Sequence, residues 1–212
     1  SEFGAQQLLL PPAPATTSQA YIIMDAKTGA VIAEKNSEQQ MAPASLTKLM
    51  TCYVMFSALK QGQLSLDDDV HISTHAWQVE GSRMFLNEHS KVPLQNLLKG
   101  VIITSANDAS VALSEHFAGS DLNFTHIMNR YASQLQMNDS HFVTVTGLDD
   151  EKHLTTAKDL AILSQHVIND FPEYFHWFHE KSISHNGITQ NNRHNLMFNH
   201  PEIDGLKTGH TS

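Results

Sequence analysis

Apolar positions crowd into two short runs near the start of the chain, QAYIIMD (19–25) and AVIAEKN (30–36). Both are rich in strand-forming residues, and the AKTG between them ends in Gly29, so the pair predicts a β-hairpin. From Ser45 the period changes. Leu46, Leu49, Met50, Tyr53, Val54 and Ala58 recur at steps of three and four, which predicts a helix with a broad apolar face ending near Gln61 and Gly62. The same period returns over 94–104, 108–118, 122–137 and 156–170, while HFVTVTGLDDEKHLT (141–155) reads as a loop with a short extended piece. Asn186-Gly187, inside KSISHNGITQNN (181–192), marks a second hairpin. Strands thus come first and last with helices between them. That order predicts an α/β chain: a sheet subdomain built from both ends, a helical subdomain over about 62–170, and a cleft at their junction. Residues 5–18 form a Pro- and Ala-rich lead-in arm, and Ser1-Glu2-Phe3-Gly4 reads as a tag remnant, which places the folded domain at 19–212.

Charge narrows the function. The formal net charge of −9, from 13 basic and 22 acidic residues, would repel phosphates, so no nucleic-acid partner is expected. The 14 histidines would reverse the sign of that charge if all were protonated, making surface behaviour pH-dependent. The single cysteine, Cys52, excludes an intrachain disulfide, and its apolar surroundings LMTCYVMF predict a buried, inert thiol. His71 and His75 stand four apart, and His176 and His179 flank Trp177-Phe178. Either pair would approach a metal only from one helix face, no third ligand is evident, and no metal is expected. The methionines on the helices read as core filler, and Glu80, Glu88 and Asp67 to Asp69 as solvated loop charge. No segment is apolar enough over 18 residues to span a membrane, and no signal peptide opens the chain.

The candidate chemistry begins at Ser45 and Lys48. At the start of a helix Ser45 would lie near unpaired backbone N–H groups and the positive end of the dipole, with Lys48 one turn along the same face. A serine hydroxyl needs a base beside it, and a lysine can serve only if burial or a neighbouring cation lowers its pKa from about 10.4. Taken singly, Ser45 is a helix N-cap and Lys48 a solvated side chain. Ser105-Ala106-Asn107, between two predicted helices, can present a hydroxyl and an amide to a cleft; taken singly it caps the helix at 108–118. Lys207-Thr208-Gly209 suits an extended substrate lying along a strand, and taken singly is a turn.

In this order the three form the S-x-x-K, S-x-N and K-T-G set of serine β-lactamases and penicillin-binding proteins. With YIIMDAKTGAVIAEKN, PASLTKLMT, SRMFL (82–86), ITSANDASVAL, HFVTVTGL, NGITQNNRHNL and DGLKTGHTS, the chain resembles the low-molecular-mass penicillin-binding proteins of the D-alanyl-D-alanine carboxypeptidase type over residues 18–212. The resemblance implies a β-lactamase/transpeptidase-like fold, an antiparallel sheet flanked by helices with an inserted all-helical subdomain. The sheet is expected to be incomplete, because the chain stops soon after the strand bearing Lys207.

The resemblance also implies roles. Ser45 would be the acylated nucleophile, Lys48 its general base and Ser105 a proton relay. Asn107 would hold the substrate amide and position Lys48. Lys207 would lower the Lys48 pKa and attract the substrate carboxylate, which Thr208 would bind beside Gly209. The backbone N–H groups of Ser45 and His210 would form the oxyanion hole, with the His210 and Thr211 side chains lining the cleft and Arg193 structural or near the substrate. The implied reaction removes the terminal D-alanine of peptidoglycan stem peptides without a cofactor, on the periplasmic face of the bacterial cytoplasmic membrane. β-Lactams would act as covalent inhibitors, and the full-length protein would be anchored by a segment absent here. No E-x-x-L-N occurs, which disfavours a class A β-lactamase. A DD-endopeptidase and a non-catalytic module that binds wall peptide are the other rivals.

Overall fold

The computed structural model describes residues 20–192 and residue 196. Strands β1 (Tyr21–Met24) and β2 (Val31–Lys35) form the first expected hairpin, antiparallel, with Tyr21 opposite Lys35 and an irregularity at Ile23/Met24. The inward residues Ile22 and Met24 pack with Ala157 and Ala161 of helix α6 (Ala157–Asp170), so the amino-terminal hairpin is fastened to a helix more than a hundred residues away.

Helix α1 (Thr47–Lys60) is the axis of the molecule. The sequence predicts one broad apolar face, but every residue from Thr47 to Ala58 is buried. The reason is its surroundings: α3 (Leu94–Thr104), α5 (Asp121–Gln134) and α6 all pack on it. Leu49, Met50, Met55 and Phe56 are fully enclosed, the methionines as core filler. At its far end Phe56 stacks on Tyr174 at 4.5 Å and meets Trp177 and Phe178, all from a 3₁₀ segment Pro172–His179. Ring pairs of this kind add about 0.5–1.5 kcal/mol each beyond burial.

Between α1 and α3 lie elements too short for periodicity to reveal. Strand β3 (Asp69–His71) pairs with β4 (Lys91–Pro93), and helix α2 (Thr74–Gln78) is capped by Ser73, whose hydroxyl accepts from Ala76 N–H. His71 and His75 therefore sit on a strand and a helix and share no helix face. His71 stacks on His89 at 5.8 Å, and His75 pairs with Asp121 at 2.7 Å, a hydrogen bond that raises its pKa. The charges expected to be merely solvated do structural work as well: Glu88 accepts from the Thr74 hydroxyl, and Asp68 accepts the Ser65 N–H. Among the described residues no three potential ligand side chains converge on a metal position.

Helix α4 (Asn107–Ala118) follows α3 after a two-residue break, and the second expected hairpin is β5 (Ser182–His185) with β6 (Ile188–Asn191), joined at Asn186 and Gly187, both at positive φ. The described residues hold three separate two-stranded ladders. Lys207, Thr208, Gly209, His210, Thr211 and Arg193 lie outside the described residues.

Candidate active site

The chain enters α1 through a 3₁₀ turn, Ala44–Leu46. Ala44 is held at φ +48°, a conformation non-glycine residues seldom adopt outside functional sites. Its carbonyl is braced by the loop after α5. A Cβ on Gly147, itself at φ +86°, would stand 1.9 Å from Ala44 O, so only glycine permits this approach. Ser45 follows, half-buried, and among the described residues its hydroxyl makes no hydrogen bond and caps no helix. The side chain is left available for chemistry.

Lys48, on the first turn of α1, is 2% exposed. Its Nζ lies 3.0 Å from Ser105 Oγ, 2.6 Å from Asn107 Oδ1 and 3.1 Å from the Thr146 carbonyl. Burial lowers its pKa from 10.5 to about 7, against an opposing pull from Asp108. Of the two causes the sequence allows, burial or a neighbouring cation, burial is the larger among the described residues; the part expected of Lys207 lies outside them. A neutral amine has two protons and one lone pair. The Asn107 and Thr146 oxygens can only accept, so they take the protons, and the lone pair is left to the Ser105 hydroxyl, which can donate. Once Lys48 is protonated, all three oxygens accept from it.

The S-x-N segment is shaped for this. Ser105 ends α3 at φ 54°, ψ 42°, a left-handed C-cap that turns its hydroxyl back toward α1, with Ala106 N–H donating to Gly100 O. Asn107 opens α4 and is locked from two sides, by its N–H to Ser82 O (2.6 Å) and its Nδ2 to Glu80 O (2.7 Å). Its Oδ1 is thereby aimed at Lys48. A Cβ on Gly81 would meet Asn107 Nδ2 at 2.5 Å, so the loop can come this close only without a side chain there. The capping role this segment would have taken singly is not filled by a side chain; instead the buried Asp108 accepts N–H bonds from Met84, Leu86 and Ala109, tying loop 80–86 to the start of the helix.

Sequence reasoning missed His153, which is 1% exposed. Its Nδ1 accepts the Val143 N–H at 3.0 Å, so Nε2 carries the proton and donates to Thr47 Oγ1 at 2.7 Å. One neutral ring thus clasps the start of α1 to the loop that supplies the Thr146 carbonyl. Burial lowers its pKa from 6.5 to about 4. Between those values the unfolded chain binds the extra proton, so stability is full above pH 6.5 and falls as pH drops toward 4, by about 3 kcal/mol for this group. Urea unfolding of the wild type is expected to weaken more between pH 7 and 5 than that of His153→Gln; equal losses would remove His153 from the account. Cys52, one turn along from Lys48, is fully enclosed, and burial pushes its thiol pKa well up, in line with the inert role expected of it.

Ser45, Lys48, Ser105 and Asn107 thus lie where α1, the α3–α4 junction and loop 143–147 meet. Comparison with known proteins supplies the kinship. The sequence profile of the D-alanyl-D-alanine carboxypeptidase family, peptidase S11, matches residues 8–212. The D-alanyl-D-alanine carboxypeptidase DacD of Salmonella typhimurium is 44% identical over 209 residues, 95% of this chain and 54% of its own. Penicillin binding protein 5 of Haemophilus influenzae superimposes with a TM-score of 0.85 at 42% identity, covering 94% of this chain and 59% of that one. Penicillin binding protein 6B of Escherichia coli gives 0.85 and 42% over 95% of this chain and 66% of its own. The chain spans about half the length of the curated relatives it matches. With its helices and small antiparallel ladders superimposing on penicillin-binding proteins of the β-lactamase/transpeptidase-like fold, and a family profile matching nearly its whole length, the chain belongs to the peptidase S11 family of D-alanyl-D-alanine carboxypeptidases.

Proposed function

We propose that the chain is the catalytic part of a serine-type D-Ala-D-Ala carboxypeptidase that removes the terminal D-alanine from peptidoglycan stem peptides on the outer side of the bacterial cytoplasmic membrane. The observation that carries this reading is a buried lysine with a pKa near 7, held by a serine and an asparagine from the S-x-N segment. Ser45 Oγ attacks the carbonyl between the two D-alanines while its proton passes to Lys48 Nζ, whose lone pair is freed as the Ser105 hydroxyl turns from donor to acceptor. The new ammonium finds three acceptors already in place. Ser105 returns the proton to the leaving amine, D-alanine departs, and water then cleaves the ester on Ser45.

Asn107 keeps Lys48 oriented. The N–H groups of Ser45 and His210 hold the oxyanion, a type of donor worth about 3 kcal/mol each. Lys207, Thr208 and Gly209 receive the substrate carboxylate, with His210 and Thr211 at the cleft edge. β-Lactams acylate the same serine as dipeptide mimics, and a membrane anchor belongs to the longer protein. No step calls for a cofactor. Incubation with penicillin followed by peptide mass mapping is expected to place one adduct on Ser45. An adduct elsewhere, or none, would sink the reading.

A further inference from the structure

Beside the S-x-N segment lies a cleft of about 340 Å³ to which no role has yet been given. It is walled by Ser82, Arg83 and Phe85 on one side, Thr104 at the end of α3, and Thr189 and Gln190 of β6 on the other. Three observations set it apart. First, in a chain of net charge −9 no carboxylate side chain among the described residues lines it, and the formal charge they bring to it is the Arg83 guanidinium. Second, among the described residues Arg83 pairs with no carboxylate; it lies over the Phe85 ring at 5.6 Å, which orders the side chain without neutralising it. Third, the wall is held in place under strain. Phe85 sits at φ +62° and 44% exposed, between Met84 and Leu86, whose N–H groups are both bound by the Asp108 carboxylate. Gln190 fixes the opposite side through Arg83 O at 2.8 Å.

A bulky apolar residue in a left-handed conformation persists only where its neighbours enforce it. Here they do so at the residue that carries the cation's platform. The same loop holds Asn107 through Ser82 O, so the cleft and the Lys48 cluster share a wall.

We propose that this cleft is a subsite for a carboxylate on the acyl-donor peptide, away from the scissile bond, with Arg83 as the recognising group and the Ser82, Thr104, Thr189 and Gln190 side chains as its polar surroundings. The inference rests on the carboxypeptidase reading for the kind of peptide involved. A planar guanidinium offers two parallel N–H donors to a carboxylate and fewer, weaker contacts to a carboxamide, so Arg83 confers a preference between otherwise identical peptides.

The test uses the full chain carrying Ser45→Ala, so that no turnover intrudes. Two synthetic peptides ending in D-Ala-D-Ala, one with a side-chain carboxylate at the preceding residue and the other with its carboxamide, are titrated and Kd read by NMR. The carboxylate peptide is expected to bind roughly tenfold more tightly, and Arg83→Gln added to Ser45→Ala is expected to bring the ratio close to one. Equal affinities before that change, binding of neither peptide, or a preference that survives Arg83→Gln would each overturn the proposal. The carboxypeptidase reading fails by a different sign, the lack of a penicillin adduct on wild-type Ser45.

Discussion

Replacing Lys48 with methionine is expected to slow penicillin acylation by about 10²–10⁴-fold, the usual range for a lost general base, and to do so without unfolding the protein. Two opposing effects decide the second half of that expectation. Holding a lysine at a folded pKa of about 7 instead of 10.5 means that the unfolded chain alone binds the proton between those values. Stability therefore falls as pH drops from 10.5 to 7 and is then level, a penalty on the order of 5 kcal/mol that methionine removes. Against this, Ser105 Oγ, Asn107 Oδ1 and the Thr146 carbonyl lose their partner, at about 1–3 kcal/mol for each buried group left unpaired. The terms are of similar size, so Tm is expected to stay within a few degrees while reactivity collapses. In the wild type the acylation rate is expected to rise with pH through an inflection near 7. Stopped-flow labelling with fluorescent penicillin across pH 5–9 measures both; a flat profile, or near-normal acylation by Lys48→Met, would remove Lys48 from the mechanism.

Gly147→Ala is expected to be the most damaging single-methyl change in the site. The added carbon would stand 1.9 Å from Ala44 O and 2.5 Å from Ala44 C. Both are backbone atoms, so no rotamer change relieves the clash, and φ +86° penalises alanine even without it. Overpacking typically costs about 1–3 kcal/mol, and this case belongs at or beyond the upper end. Because the displaced group is the peptide before Ser45, and Thr146 O is one residue from the new methyl, acylation is expected to fall with stability. Thermal melts together with penicillin labelling test this. A variant that melts and labels as wild type does would show that the loop and the turn are not truly in contact.

The legible and illegible parts of the chain divide along physical lines. Helix α3 was readable to the residue because 94–104 carries an uninterrupted helical period, and Asn186-Gly187 announced the β5–β6 hairpin through local conformational preference. Strands β3 and β4 were not readable: three residues each carry too little period, and their pairing was decided by the fold around them. In the site, the order of the motifs pointed to Ser45, Lys48, Ser105 and Asn107, and lysine chemistry to burial or a second cation as the means of lowering the Lys48 pKa, but not to the groups that bury it. A lysine in a helix reads as solvated, and only the packing of three helices around α1 takes it out of water. His153 left no trace for the same reason. Its partners, Thr47 and Val143, are distant or unremarkable in the chain, and their meeting is a product of tertiary structure.

Cys52 takes its significance from the same enclosure. The lone thiol lies in the middle of α1, four residues beyond the amine on which reactivity depends. A thiol reagent in solution reaches its sulfur only when that helix leaves its seat, so the rate of Cys52 labelling serves as a built-in clock for global opening.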